Sequence, residues 1–383
     1  MKPYYVLLTG SKNNAGDFLI KHRAKSLFAS KRPDREIIDF NAWERFDQKR
    51  LEVINGAKAL LLVGGPSLRY DMYPEIYRLT GDLSDIKVPV SLMGVGWKSV
   101  TGRWKDTYSY SFSENSIQLL EKAAQSGLPV SVRDYHSLNS LFFNGFTNGI
   151  MTGCPAYYDL SSLAKSPEIP PSIQKVGFSL GVSFVKSPGM ERQMKRQIIA
   201  CRDHFETAEF QVLFHHSLTP SVTKAAYGGA MSEHLDKHQQ FVQWLERENI
   251  AYKDISGDAQ KLIETYSSVD LHIGYRVHAH IFMNSIGKLS LLFSEDGRAS
   301  GSRGAIGGMV VDGYHGVRNG ILAKASRKLT GWPDRFISNR YSTKDMLSML
   351  EYEIYSGGQR TLAANSAIHQ NYYQMTRYLK MLP

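Results

Sequence analysis

The stretch V-D-L-H-I-G-Y-R-V-H-A-H-I-F-M-N-S-I-G-K-L-S-L-L-F-S-E-D-G-R, residues 269–298, decides the fold of this chain. Residues 271–274 predict the end of a buried strand, residues 280–286 predict a helix, and residues 289–293 predict the next strand. Strands without polar alternation that are joined through a helix are typical of a parallel sheet covered on both faces. The stretch therefore predicts an α/β fold.

Arg276 and His278 fall at the turn between that strand and that helix, which is where ligands of open α/β sheets bind. A helix N-terminus attracts anions, and an arginine holds a carboxylate or a phosphate through two parallel hydrogen bonds. A histidine exchanges a proton near neutral pH. The pair therefore predicts acid–base chemistry on a small anion, with Arg276 and His278 as the catalytic residues.

A length of 383 residues, with 42% hydrophobic residues, predicts a globular chain of two domains. Because the segment 161–171 is rich in Ser and Pro, it is the best candidate for a linker. We expect an N-terminal domain at 1–165, a C-terminal domain at 175–340, and helices at 341–383 that pack across both. Two doubly wound Rossmann-like domains that face a cleft resemble the GT-B architecture of many glycosyltransferases.

Apolar runs alternate with helix-length segments along both halves of the sequence. The predicted strands are residues 4–9, 36–40, 59–63, 89–94, 129–132, 149–152, 176–182, 210–214, 252–255, 271–274, 289–293 and 309–312. A loop is predicted at 11–17, helices are predicted at 231–249 and from Ser342 to the end, and the glycine-rich stretch after Arg298 is predicted to be a flexible lid.

The net charge of +10 has to be explained by an anionic partner, which is a nucleic acid, a membrane surface or a phosphorylated substrate. The basic residues are dispersed and no nucleic-acid module is present, so we expect no nucleic-acid partner. Cys154 and Cys201 lie far apart without metal-ligand spacing, and neither a disulfide framework nor a metal site is expected. No apolar run is long enough for a membrane span or a signal peptide, and we expect a cytoplasmic protein.

Five short motifs occur in a fixed order along the chain. They are Asn14-Ala15-Gly16-Asp17, Gly64-Gly65, Gly94-Val95-Gly96, Arg133-Asp134 and the run D-x-H-x-G-x-R-x-H at 270–278. In this order they resemble the motifs of the polysaccharide pyruvyl transferases. The resemblance implies that phosphoenolpyruvate is the donor, that the product is a pyruvate ketal on a sugar, and that Arg133 contacts the donor.

The candidate site residues form two sets. The set assigned to the donor is Arg133, Arg276, His278, Gly94 and Gly96. The set assigned to the acceptor or the cleft is Asn14, Gly16, Asp17, Gly64, Gly65, His215, His216, His280 and Arg298.

Several of these residues also have a structural interpretation. Asp17 is equally suited to cap the helix that follows it. Arg133 and Asp134 can form a surface ion pair, which contributes little to stability. His215 and His216 can be a structural pair, whereas His234 and His238 are expected on a solvated helix face.

The resulting hypothesis is a pyruvyl transferase that needs no metal or organic cofactor. Its acceptor is a saccharide or a lipid-linked oligosaccharide. The alternatives are a GT-B glycosyltransferase that uses a nucleotide sugar and a non-catalytic carbohydrate-binding protein. The basic segment 377–380 also suggests weak association with the inner face of the membrane. The oligomeric state and the identity of the acceptor are left open.

Overall fold

A computed structural model describes residues 2–163, 165–227, 232–331 and 333–383. In the first half, four parallel strands form a sheet in the order β2-β1-β3-β4, and two further parallel strands, β5 and β6, pair with each other. The strands are β1 (Tyr4–Thr9), β2 (Glu36–Asn41), β3 (Leu60–Val63), β4 (Val90–Met93), β5 (Val130–Val132) and β6 (Gly149–Met151). The helices are α1 (Ala15–Lys31), α2 (Gln48–Asn55), α3 (Glu114–Gln125) and α4 (Tyr135–Phe143).

The strands β5 and β6 are separate from the main sheet of the first half. Gly94 follows β4 directly with a φ of 62°, a left-handed conformation that ends the regular ladder. Beyond Gly94, one isolated parallel bridge joins Val95 to Val132 at the end of β5. The amide of Gly94 also donates to the hydroxyl of Ser131 at 2.8 Å. The β5–β6 pair therefore lies beside β4 without extending its ladder.

The second half contains a six-stranded parallel sheet in the order β12-β11-β10-β7-β8-β9. Its strands are β7 (Lys175–Ser179), β8 (Glu209–Phe214), β9 (Ala251–Asp254), β10 (Leu271–Gly274), β11 (Leu289–Ser294) and β12 (Met309–Asp312). Its helices are α5 (Pro188–His204), α6 (Pro220–Tyr227), α7 (Ser232–Arg247), α8 (Ala259–Ser268), α9 (Val277–Ser285) and α10 (Gly297–Ala305). The α/β architecture with two parallel sheets is as predicted, whereas the exact domain limits stay predictions.

An antiparallel pair of strands that the sequence patterns did not reveal follows the second sheet. It pairs β13 (Tyr314–Val317) with β14 (Phe336–Ser338), and α11 (Ile321–Thr330) lies between the two strands in the sequence. The chain ends with α12 (Ser342–Tyr355) and α13 (Gln359–Met381). Helices were predicted over this stretch, and the two are separated at Gly357 and Gly358, which both adopt left-handed conformations.

The glycine-rich stretch after Arg298 is helix α10, which corrects the prediction of a flexible loop. Asp296 caps this helix by accepting a hydrogen bond from the amide of Arg298 at 2.9 Å. A Cβ atom at Gly301 would lie 2.7 Å from the carboxylate of Asp134, in the first half. The glycines therefore let α10 approach the first half closely.

One apolar core is shared by the two halves. It extends from Leu19 and Leu27 of α1 through Phe282 of α9 to Ile368 and Leu379 of α13. Two further cores belong to the separate sheets. Because the shared core contains residues of both halves, their burial fixes the relative position of the two sheets.

Arg23 of α1 connects the halves inside this core. Its guanidinium donates to the carbonyl of Ala156 at 2.6 Å, to Ser285 of α9 at 2.7 Å and to Asp159 at 2.9 Å. It also lies over the ring of Phe282, with 4.8 Å to the ring centroid. Burial lowers the pKa of Arg23 to about 10 although Asp159 opposes this shift, so the side chain stays charged at neutral pH.

Replacing Arg23 should therefore destabilise the whole chain. Arg23→Ala leaves the carboxylate of Asp159 without its buried partner, which typically costs about 3–5 kcal/mol. The matched change Arg202→Ala removes an exposed pair with Asp203 and should cost less than about 1 kcal/mol. Thermal unfolding followed by circular dichroism measures both, and equal losses would contradict a connecting role for Arg23.

Candidate functional site

The site begins where β10 turns into α9. Gly274 ends β10 with a φ of 144°, and a Cβ atom there would overlap the backbone of Ser179 on β7. Arg276 precedes the first helical residue, and its amide donates to the hydroxyl of Ser179 at 3.1 Å. The helix begins at Val277, three residues earlier than predicted. His278 therefore lies inside the first helical turn.

His278 is a buried imidazole with one nitrogen that has no hydrogen-bond partner. The residue is 5% exposed, and its Nε2 finds no partner among the described residues. Burial, together with the smaller effect of the positive charges of Arg133, Arg298 and Arg276, lowers the pKa of His278 to about 3. The imidazole is consequently neutral at pH 7 in the protein without a bound ligand.

Helix α1 of the first half contacts His278 directly. A Cβ atom at Gly16 would overlap the imidazole of His278, so the absence of a side chain permits this approach. The start of α1 is held by the second half, because the amide of Ala15 donates to the carbonyl of His215 at 3.3 Å. The side chain of Asn13 accepts a hydrogen bond from the amide of Ser217 at 2.9 Å. The Asn14–Asp17 motif therefore lies at the junction of the halves.

Arg133 approaches the same junction from the first half. The side chains of Arg133 and Asp134 are 5% and 2% exposed, so the interpretation as a surface pair is wrong. The Nε of Arg133 lies 3.5 Å from Asp134, while its Nη2 has no hydrogen-bond partner among the described residues. A Cβ atom at Gly96 would overlap this guanidinium. Gly96 thus makes room for the arginine.

Arg276 is held in one orientation by the second half. Its Nε donates to the carbonyl of Leu180 at 2.6 Å, and its Nη2 donates to the Nδ1 of His216 at 3.1 Å. His216 packs edge-on against His234, with 5.0 Å between the ring centroids. His216 therefore lies behind Arg276 and fixes its guanidinium.

Arg298 of α10 and Asp17 of α1 complete the charged cluster. Arg298 pairs with Asp296 at 2.7 Å, and this pairing keeps the pKa of Asp296 low although burial alone would raise it. Burial raises the pKa of Asp17, although the charges of Arg298, Arg133 and Arg276 lower it in part. Asp17 thus lies within the field of all three arginines. It is not the N-cap of α1, because Asn14 occupies that position.

A cavity of about 600 Å³ opens between the halves beside this cluster. Of the residues predicted from the sequence, Asp17, Gly64, Gly65 and Arg298 line it. Arg133, Arg276 and His278 do not line the cavity. They interact electrostatically with Asp17 and Arg298, which do line it.

Four hydroxyl groups of the cavity wall were missed by the sequence analysis. They belong to Thr9, Ser67, Tyr77 and Ser183, they are buried, and none of them has a hydrogen-bond partner among the described residues. Buried polar groups are normally paired, so four unpaired hydroxyls in residues of the cavity wall are unusual. No sequence pattern distinguishes such a hydroxyl from one on the surface.

Several other predicted residues lie in packed surroundings. His280 is fully buried and its Nδ1 lies 2.9 Å from the hydroxyl of Ser290, while His215 pairs with Tyr266 at 2.7 Å. A Cβ atom at Gly94 would overlap Pro155, and one at Gly64 would overlap Ile20. These contacts hold the structure around the cavity, whereas a role in ligand binding stays a prediction.

The helix face of His234 and His238 is not solvated, which corrects the prediction. His238 is 1% exposed, and its ring lies against Phe184 and Phe214 at centroid distances of 5.1 and 5.6 Å. His234 packs against His238 at 4.0 Å and lines the cavity. The apolar side of α7 carries both rings inward. Within the described ranges, no group of three or more His, Cys, Asp or Glu residues has a geometry that could hold a metal ion.

The contact between Gly16 and His278 predicts a stability effect. Gly16→Ala places a methyl group into the imidazole, and overpacking of this kind costs about 1–3 kcal/mol. The matched change Gly304→Ala lies in α10 with open space around it and should stabilise by up to about 1 kcal/mol. Thermal unfolding compares the two variants. A gain in stability for both would contradict the close contact at His278.

The buried histidines predict a marked loss of stability in mild acid. The pKa of His278 is lowered to about 3 and that of His280 to about 4, whereas an unfolded chain titrates near 6.5. Between these values the unfolded chain binds more protons, so stability is complete above about pH 6.5 and falls as the pH decreases, by about 1.4 kcal/mol per pH unit and histidine.

The melting temperature should therefore fall from pH 7 to pH 5. The fall should be shallower in His278→Asn, because one titrating group is removed. An unchanged melting temperature across this range would contradict the neutral buried state.

Comparisons with known proteins bear on the family and on the fold. The sequence model of one family, the polysaccharide pyruvyl transferases, matches residues 14–282, which is more than half of the chain. None of the curated proteins matches the sequence.

Two solved structures are similar along almost the whole chain. The UDP-GlcNAc 2-epimerase of Neisseria meningitidis, bound to UDP-GlcNAc, has a TM-score of 0.50 at 11% identity and covers 99% of this chain and 98% of its own. The apo structure of OtsA has a TM-score of 0.51 at 9% identity and covers 98% of this chain and 97% of its own. At such low identity the similarity shows the fold alone, which is of the GT-B type. By its sequence, this chain belongs to the polysaccharide pyruvyl transferase family.

Proposed function

We propose that this protein transfers the pyruvyl group of phosphoenolpyruvate to a sugar and forms a pyruvate ketal. The observation that carries the proposal is the neutral, buried His278, on which the charges of Arg133, Arg276 and Arg298 all act. Family membership supports the same reaction class. The proposed reaction uses no metal or organic cofactor.

The arginine cluster suits a small molecule with several negative charges. Arg133 and Arg276 are buried, and Arg276 is already oriented by Leu180 and His216. Oriented guanidinium groups bind carboxylate and phosphate through paired hydrogen bonds. Phosphoenolpyruvate carries both groups on three carbons, so two arginines can bind its two ends and a third can stabilise the departing phosphate.

The lowered pKa of His278 is consistent with a general acid that becomes protonated when the anionic donor is bound. In the free protein burial, assisted by the surrounding positive charge, keeps the imidazole neutral. Binding of an anionic donor offsets that charge and should raise the pKa of His278, so that a proton becomes available. The proton then adds to C3 of the enol phosphate and converts the methylene group to a methyl group.

The remaining steps balance with phosphate as the leaving group. Protonation at C3 leaves cationic character at C2, and a first sugar hydroxyl attacks C2 and gives up its proton. The C2–O bond to phosphate breaks, and a second hydroxyl of the same sugar attacks and closes the ketal. One of the two hydroxyl protons returns to His278, which gave its own proton to C3. The other hydroxyl proton leaves with the phosphate.

The cavity beside the cluster supports a sugar as the acceptor. The residues Thr9, Ser67, Tyr77 and Ser183 line it, and their buried hydroxyls have no hydrogen-bond partners among the described residues. Hydroxyl groups both donate and accept hydrogen bonds, as the hydroxyls of a sugar require. A volume of about 600 Å³ lies in the range of small-ligand sites. The proposed acceptor sugar belongs to a polysaccharide or to its lipid-linked precursor, and a cytoplasmic location stays a prediction.

A glycosyltransferase reaction is the second candidate, because the fold is shared with enzymes of nucleotide sugars. Donor binding separates the two reactions. Phosphoenolpyruvate at millimolar concentration should raise the melting temperature, since a ligand stabilises according to its concentration relative to its Kd. If a UDP or GDP sugar raises it while phosphoenolpyruvate leaves it unchanged, the glycosyltransferase function is favoured.

Turnover tests the role of His278. Phosphate release from phosphoenolpyruvate should be detectable with at least one member of a panel of galactosides, glucosides and mannosides. His278→Asn should keep donor binding but lose about two to four orders of magnitude in turnover, because asparagine cannot carry a proton. Arg276→Lys keeps the charge but loses the planar fork, so donor binding should weaken.

The exposed His22 of α1 provides a matched control. His22→Asn should leave both donor binding and turnover unchanged. Full turnover in His278→Asn, with the fold intact, would place the proton donor elsewhere. Loss of donor binding with normal turnover at saturation would make the imidazole a binding group instead.

A further inference from the structure

Helix α11 carries an apolar face that no other part of the described chain covers. None of the ten residues of this helix is buried. Ile321, Leu322 and Leu329 are 85%, 86% and 85% exposed. With 100° between successive residues, these three side chains and Ala325 lie on one face of the helix. Large aliphatic side chains in this arrangement mark an interaction surface.

A cationic strip borders the apolar face of α11 on one side. It carries Lys324, Arg327 and Lys328, and the helix contains no acidic residue. Arg327 donates to the carbonyl of Arg318 at 2.9 Å, which ties the helix to β13. Lys324 and Lys328 form no ion pair with any described residue. Their charges are therefore available to an anionic partner.

We propose that α11 docks the protein on an anionic lipid surface. A short helix with an apolar face flanked by cations lies in the plane of a membrane interface, with its apolar side chains among the acyl chains. Each lysine or arginine near such a surface adds attraction to anionic headgroups. A stable protein partner would need about 20–30 residues on each side, and α11 offers only four apolar ones. A lipid surface thus fits both the size and the charge of the helix.

The position of α11 connects this surface with the cavity between the halves. The helix lies between β13 and β14 in the sequence, and Arg335 and Phe336 at the start of β14 line the cavity. The amide of Arg318, after β13, donates to the carbonyl of Arg335 at 2.9 Å. Docking through α11 would therefore bring the cavity mouth near the lipid headgroups. This inference does not depend on the identity of the reaction.

Co-sedimentation of the full chain with vesicles tests the proposal. The protein should pellet with phosphatidylcholine vesicles that contain phosphatidylglycerol and remain in the supernatant with phosphatidylcholine alone. Lys324→Gln with Lys328→Gln should lower the partition coefficient about thirtyfold, from the attraction expected for two cations. Replacing Ile321, Leu322 and Leu329 together by Gln should abolish pelleting. These side chains are exposed, so the melting temperature should stay unchanged.

Two control variants distinguish α11 from other surfaces. Phe142 and Phe143 of α4 are 59% and 52% exposed, and their joint replacement by Gln should leave pelleting unchanged. Arg377→Gln with Lys380→Gln tests the basic C-terminal segment and should also leave it unchanged. Pelleting that survives the α11 changes, or that is lost with the C-terminal changes alone, would overturn the proposal. So would a dimer that the α11 changes convert to a monomer, because α11 would then bind a second copy.

Discussion

The contact between Gly16 and His278 is the constraint on which the site depends. It brings the first turn of α1 and the first turn of α9 together, although the two helices belong to different sheets. Both helix N-termini carry partial positive charge, which adds to that of the surrounding arginines. The approach is possible only because position 16 has no side chain. The shared apolar core and the buried Arg23 hold the two helices at this distance.

The charges at this junction come from residues of both halves. Asp296 pairs with Arg298, and Asp134 lies 3.5 Å from Arg133, while both carboxylates also act as helix caps. Asp17 and Glu295 add further negative charge, so the arginines are matched by nearby carboxylates. Burial, with a smaller contribution from the arginines, keeps His278 neutral. An anionic donor that contacts the arginines would offset their contribution and raise the pKa of the imidazole.

Neither burial nor hydrogen bonding alone separates the structural histidines from the candidate catalytic one. His272 bonds to Ser179 and Ser290, and His215 bonds to Tyr266, so these rings are engaged within the core. His216 accepts a hydrogen bond from Arg276 and acts through it. The Nε2 of His278 has no partner in the described part of the chain, but the same is true of His234 and His238. The position of His278 beside Gly16 and within the field of three arginines distinguishes it from the others.

The sequence by itself determined the features that depend on neighbouring residues. Apolar runs predicted the parallel strands, and the change from strand to helix at Arg276 was found because such patterns are local, although the helix begins three residues earlier than predicted and includes His278. Tertiary structure alone decided the helical state of α10, the burial of Arg133 and the unpaired hydroxyls of the cavity. Each of these depends on contacts between residues far apart in the chain, and the composition of a short segment contains no information on such contacts.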